Sequence, residues 1–192
     1  MINLNDDSFD GSKTVSIFNN GNAGVVENVT ISVNKKTAED KENAPDYKLI
    51  FTDKEGATTN TAFWYIDKAT EYATVEAQIK KQGKVLRHVA KTIYGSDYNF
   101  PEYPNAAAML DGIMKLIKEG VSGNTYRVFA NYGSTMSIKA YIQVRSWAPF
   151  MEATSVLAED TSLKLQNIDA MVRLTEDAPV PVGVTADAGD DW

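Results

Sequence analysis

The chain has 192 residues, enough for one well-buried domain with extensions and too few for two of full size. It has no cysteine and one histidine, His88, which removes disulfides, thiolate metal sites, cysteine nucleophiles and multi-histidine metal sites from consideration. The net charge of -7 argues at first against a polyanionic ligand.

Residues 1–23 are mostly polar, with Asn19-Asn20-Gly21-Asn22 marking a turn and Val15, Ile17 and Phe18 offering apolar contact; a loosely attached arm with one short strand is predicted. The start, Met1 to Asp7, lacks the cationic and apolar segments of a signal peptide, and no apolar run is long enough to cross a membrane. A cytoplasmic protein without membrane contact is therefore expected. From Gly24, Val29, Ile31 and Val33 alternate with Thr30 and Ser32 as in a half-buried strand ending at Asn34-Lys35-Lys36. A solvated loop to Pro45 follows. Asp46–Asp53 and Thr61–Ile66 read as the next two strands, with Asp53-Lys54-Glu55-Gly56 turning between them. Alternation does not choose the inner face here, because Tyr47, Leu49 and Phe51 are apolar while Lys48, Ile50 and Thr52 are mixed. Of Phe63, Trp64 and Tyr65, a strand must send at least one ring to each face.

Glu71 to about Tyr94 changes period: Tyr72, Val75, Ile79, Leu86, Val89 (or Ala90) and Ile93 follow helical spacing, and Gly83 marks a kink or break. Lys80, Lys81, Lys84, Arg87 and Lys91 gather on the polar part. A solvated face is the bland reading of that cluster, and His88 beside it receives no chemistry. Gly95–Pro104 is a loop. Asn105 can cap a second helix, Ala106–Glu119, with Leu110, Ile113, Met114 and Ile117 as its buried stripe and Gly120 as its stop.

Tyr126–Arg145 then reads as a hairpin. In its second arm Ile138, Ala140, Ile142 and Val144 alternate with Lys139, Tyr141, Gln143 and Arg145, and in its first arm Arg127, Phe129 and Asn131 oppose Tyr126, Val128 and Ala130. No acid lies between Glu119 and Glu152. An exposed cationic and aromatic row is predicted. The competing reading is a twisted hairpin with half-buried rings. Trp147–Met151 closes the barrel or folds back on it, and short strands or helices are compatible with Leu163–Gln166 and Ala170–Leu174. From Thr175 onward five acids, Glu176, Asp177, Asp187, Asp190 and Asp191, occur without a Lys or Arg, which leaves 21 acids against 19 bases for the body. The predicted division is an arm (1–23), a folded domain (24–174) and a disordered acidic tail (175–192).

Three strands, a helical insertion and a hairpin form the element order of an OB-fold: a mainly β, α+β domain built on a five-stranded Greek-key barrel, with helices between strands three and four. The insertion, about Tyr72 to Glu119, is larger than a minimal OB helix. This layout, its basic and aromatic residues, the run Asn43–Asp53 leading into Thr61–Tyr65, and an acidic end closing on Asp190-Asp191-Trp192 together resemble the single-stranded DNA-binding proteins of bacteriophages. The resemblance covers about residues 24–150 and the tail, without an invariant motif. It implies a non-enzymatic protein, without cofactor or metal, that coats single-stranded DNA in replication, recombination or repair. Lys48, Arg127, Lys139 and Arg145 would neutralise phosphates, while Phe129, Tyr141 and one of Trp64 or Tyr65 would stack bases. Asp190, Asp191 and Trp192 would dock on a polymerase, primase or helicase, and the tail would compete with DNA. Self-association is left open. The alternative from another class is a structural, carbohydrate-binding or protein-binding β module of a phage particle. No phosphate loop, nucleophile elbow or calcium-loop spacing points to an enzyme.

Overall fold

The computed structural model describes residues 17–132, 142–169 and 171. Six antiparallel strands, β1 (Gly24–Lys35), β2 (Tyr47–Thr52), β3 (Thr58–Phe63), β4 (Tyr126–Tyr132), β5 (Ile142–Val144) and β6 (Met151–Ala153), form an open sheet, with helices α1 (Val75–Tyr94) and α2 (Ala106–Gly120) between β3 and β4. The order is β3-β2-β1-β4-β5, and β6 also pairs with β4. The fold is thus α+β, but its sheet is not closed and has a sixth strand that the five-stranded expectation lacked. Among the described residues, β3 and β5 end the path without a ladder between them; the Thr59 hydroxyl donates to the Ile142 carbonyl across 3.4 Å.

β1 organises the sheet because its two halves have different partners. Gly24–Val29 pairs with β4 and Thr30–Lys35 with β2, and the register shifts between Val26 and Val29. Asn28 sits in this bulge at φ 57°, a conformation that asparagine tolerates better than most residues. The extra residue changes which parity faces inward, from Val26 to Val29 and Ile31. On β2 the ambiguity of alternation is resolved: Tyr47, Leu49 and Phe51 are buried, while Lys48, Ile50 and Thr52 face out. Burying Leu49 and Phe51 completely stabilises the fold by about 1.5–3 kcal/mol each. β3 begins three residues earlier than alternation predicted. Its register runs from Thr52↔Thr58 to Tyr47↔Phe63, and the intervening turn is closed by the Asp53 carboxylate, which accepts from the amides of Glu55 and Ala57.

α1 starts at Val75 rather than Glu71, where Thr74 caps it by accepting from the Ala77 amide at 3.2 Å, and it passes through Gly83 unbroken. α2 follows the expected span, with the Asn105 side chain accepting from the Ala108 amide at 2.8 Å. Leu86, Val89 and Ala90 of α1 and Leu110, Ile113, Met114 and Ile117 of α2 meet the inner face of the sheet in one core. Gly112 lets this packing close, since a Cβ there would lie 2.5 Å from the Tyr103 ring.

The main departure lies at β4, which is buried on both faces. Tyr126, Val128 and Ala130 meet the core, while Arg127, Phe129 and Asn131 are covered by the chain that follows β5. That segment folds back through β6, as one of the two expected paths allowed, and takes no regular form at Leu163–Gln166. Among the described residues, no helix is long and apolar enough to cross a membrane.

Candidate nucleic-acid interface

Three of the expected contact residues are not on the surface. Arg145 is 1% exposed and Phe129 3%; the guanidinium carbon lies 3.7 Å from the Phe129 ring centroid, a buried cation on an aromatic face. Arg145 also donates through Nε to Asp169 Oδ1 at 2.8 Å, through Nη2 to Asp169 Oδ2, and to the carbonyls of Pro149 and Lys164 at 2.8 and 2.9 Å. Arg127 pairs with Glu27 and Glu152, both at 2.9 Å, and Glu152 in turn accepts from Thr161 and Ser162. These residues pin the 145–169 segment to β4. The expectation that they contact phosphates or bases is corrected, because their donors and ring face are occupied within the protein. Lys139, Tyr141, Asp190, Asp191 and Trp192 lie outside the described residues.

Lys48, Trp64 and Tyr65 remain, and the structure separates them. The register of β1, β2 and β3 places Thr30, Ser32 and Asn34, then Lys48, Ile50 and Thr52, then Thr58, Asn60 and Ala62 on one outer face. Trp64, 49% exposed, follows Ala62 at the end of β3. No carboxylate belongs to this set. Beside it, Lys36 and Asp40 share a shallow recess with Lys48, and the Thr37 amide and hydroxyl hold the Asp40 carboxyl below its usual range.

Trp64 is positioned from α1. The Gln82 amide accepts from the Trp64 N–H at 3.0 Å and donates to its carbonyl at 3.1 Å, fixing the backbone while leaving the indole in solvent. Tyr65 turns the other way, so the three consecutive rings divide between faces as expected. Its ring meets Tyr47 edge-on with centroids 6.4 Å apart, and its hydroxyl donates to Asp111 Oδ1 at 2.7 Å. Tyr47 donates to the same oxygen, and Lys35 pairs with it at 3.1 Å. The Tyr47 hydrogen bond, ahead of those from Tyr65 and Lys35, holds the Asp111 carboxyl below its ordinary value. Desolvation, with the Asp111 hydrogen bond, pushes the Tyr65 phenol up to about 12, so it stays a donor. This cluster ties α2 to the sheet and immobilises Tyr65. Gln82 and Asp111 were not among the expected site residues. Asp111 had a signal, being the only acid of α2 before Glu119, whereas nothing in the sequence distinguishes Gln82 from a solvated helix position.

A recess of about 260 Å³ between the β1 bulge and the β2–β3 turn is lined by Glu27, Asp53 and Glu55 with Asn19, Asn20, Asn28 and Lys54. Its acids disfavour phosphate, and the Asp53 carboxylate is already engaged by the amides of Asn19, Glu55 and Ala57. Among the described residues, no group of three or more acids or histidines is arranged to hold a metal ion. No protein-family model matches the chain, and no curated protein or solved structure matches it either.

Proposed function

We propose that the chain binds single-stranded nucleic acid without reading its sequence, along the outer face of β1, β2 and β3. The observation that carries this reading is that acid-free face in a protein of net charge -7, ending in an indole held out by Gln82. Hydroxyls and amides of Thr30, Ser32, Asn34, Thr52, Thr58 and Asn60 offer hydrogen bonds to phosphate and sugar, Lys48 supplies charge, and Trp64 stacks a base. None of these contacts discriminates between bases. Support also comes from topology: β3-β2-β1-β4-β5 with helices between β3 and β4 is the order of an OB barrel opened between its third and fifth strands. In this reading Lys139 adds a phosphate contact and Tyr141 a stacking ring. The acidic end with Asp190, Asp191 and Trp192 is then the docking element for a replication protein.

The test is an anisotropy titration against labelled oligo-dT at about 50 and about 200 mM salt. Wild-type protein binds and weakens with salt, by about threefold across this range for each phosphate that a cation such as Lys48 neutralises, whereas Trp64→Ala loses about 1–3 kcal/mol, roughly five- to 150-fold in affinity. Absence of binding at low salt, or an indifferent Trp64→Ala variant, overturns the reading.

A second reading has its own observation. Lys48 is the one cation among the ten outer-face residues, and an indole ringed by hydroxyls and amides also suits a neutral glycan. Such binding is insensitive to salt, so the same titration series separates the two.

A further inference from the structure

The outer side of α1 carries a cationic surface that the sheet face does not use. Lys80, Lys84, Arg87 and Lys91 are spaced four, three and four residues apart, which at 3.6 residues per turn gathers them into a stripe about 60° wide and about 16 Å long. Tyr94 continues it three residues on, 39% exposed, with its ring centroid 5.1 Å from that of Tyr98, which lies 5.0 Å from Phe100. Lys80, Lys84 and Arg87 are exposed, and among the described residues none of them makes an ion pair. Lys91 is half-buried, its ammonium on the Ser96 carbonyl. The chain holds no acid between Glu76 and Asp97.

Like charges three and four residues apart destabilise a helix, and helices that need only solubility interleave acids with bases. Here the repulsion between Lys80, Lys84, Arg87 and Lys91 is uncompensated on the helix, and an anionic ligand would relieve it. Gln82, which grips Trp64, lies nearly opposite the stripe by helical geometry, and Lys81 falls about midway between the two.

We propose that the stripe holds the phosphate backbone of the same single strand after it leaves Trp64, passing Lys81, with Tyr94 receiving an unstacked base. This rests on the single-strand reading above and lengthens its site from the sheet onto the helix. A flexible single strand can round α1, and its free bases give Tyr94 a role. In a duplex the bases are already stacked, and the ring would be idle.

The experiment uses the full chain with Lys84→Ala and Arg87→Ala combined, titrated with oligo-dT of about twenty and about six nucleotides and with a duplex, beside Trp64→Ala. For the longer strand, affinity at low salt falls roughly tenfold and the slope of log K against log salt shrinks by about 1.4, two phosphate contacts at about 0.7 each. The shorter strand responds to Trp64→Ala and not to the α1 variant, and the α1 variant is at least as stable to denaturant as the wild type, because its substitutions relieve repulsion along the helix. Unchanged affinity for the longer strand, equal loss for both lengths, or loss confined to the duplex overturns the proposal. If wild-type protein binds no single strand, the sheet reading fails with it; if wild-type protein binds and the α1 variant is indifferent, only the helix assignment fails.

Discussion

Arg145 spends its guanidinium entirely inside the protein, on the Asp169 carboxylate, two carbonyls and the face of Phe129. Removing one partner of a buried pair leaves an uncompensated charge, which costs about 3–5 kcal/mol. Asp169→Ala should therefore lower the unfolding free energy from denaturant melts by that amount, while single-strand affinity, normalised to folded protein, stays the same. His88 gives a second measurable effect. Its Nε2 accepts from the amides of Phe150 and Met151 at 3.2 and 3.3 Å, which only the form unprotonated at that nitrogen can do. Burial holds its pKa below the ordinary 6.5. The unfolded chain therefore takes up a proton before the folded one, so the His88 contribution is full above about 6.5 and is lost as pH falls toward the depressed value. In urea melts between about pH 7.5 and 5, wild-type protein should lose more stability than His88→Gln, which keeps an acceptor without a titrating ring.

At the scale of elements, the helices were the most legible part. Apolar spacing fixed their faces and Asn105 their second start, because a cap and a stripe are local signals. Gly83 is where the local pattern predicted a kink or break and the helix runs through unbroken. A Cβ there would meet nothing within 4 Å. Gly83→Ala should therefore stabilise the protein by about 1 kcal/mol and raise its Tm by about 2–4 °C, measured by calorimetry. The strands were less legible. Period two says that Arg127 and Phe129 oppose Val128, but it cannot say that a later, aperiodic segment covers their side as well. That cover, 145–169, has no repeating pattern to announce it. Arg145 was therefore readable as a strand residue and unreadable as a buried one.

For the whole molecule, the net charge of -7 is a poor guide to what a ligand meets. The outer face of β1, β2 and β3 has no acid, and the outer stripe of α1 carries cations, so both proposed contacts lie where the acidic excess does not. Lys48 and Trp64 could be picked from the chain because one lies within an apolar strand and the other directly after the strand that follows. Their placement on one face needed the β2–β3 register, which depends on a turn that the sequence located only approximately. The strand order is similarly non-local: β1 belongs to two pairings through its bulge at Asn28.

The Arg145–Asp169 contact also decides where the chain can be shortened. A version cut at residue 160 to strip away the acidic end would discard Asp169 with it, stranding a desolvated guanidinium under a missing lid. Any loss of binding in that fragment would then report collapse around β4 and not the removal of negative charge. A stop codon placed after Met171 keeps the counter-ion and makes the comparison a fair one.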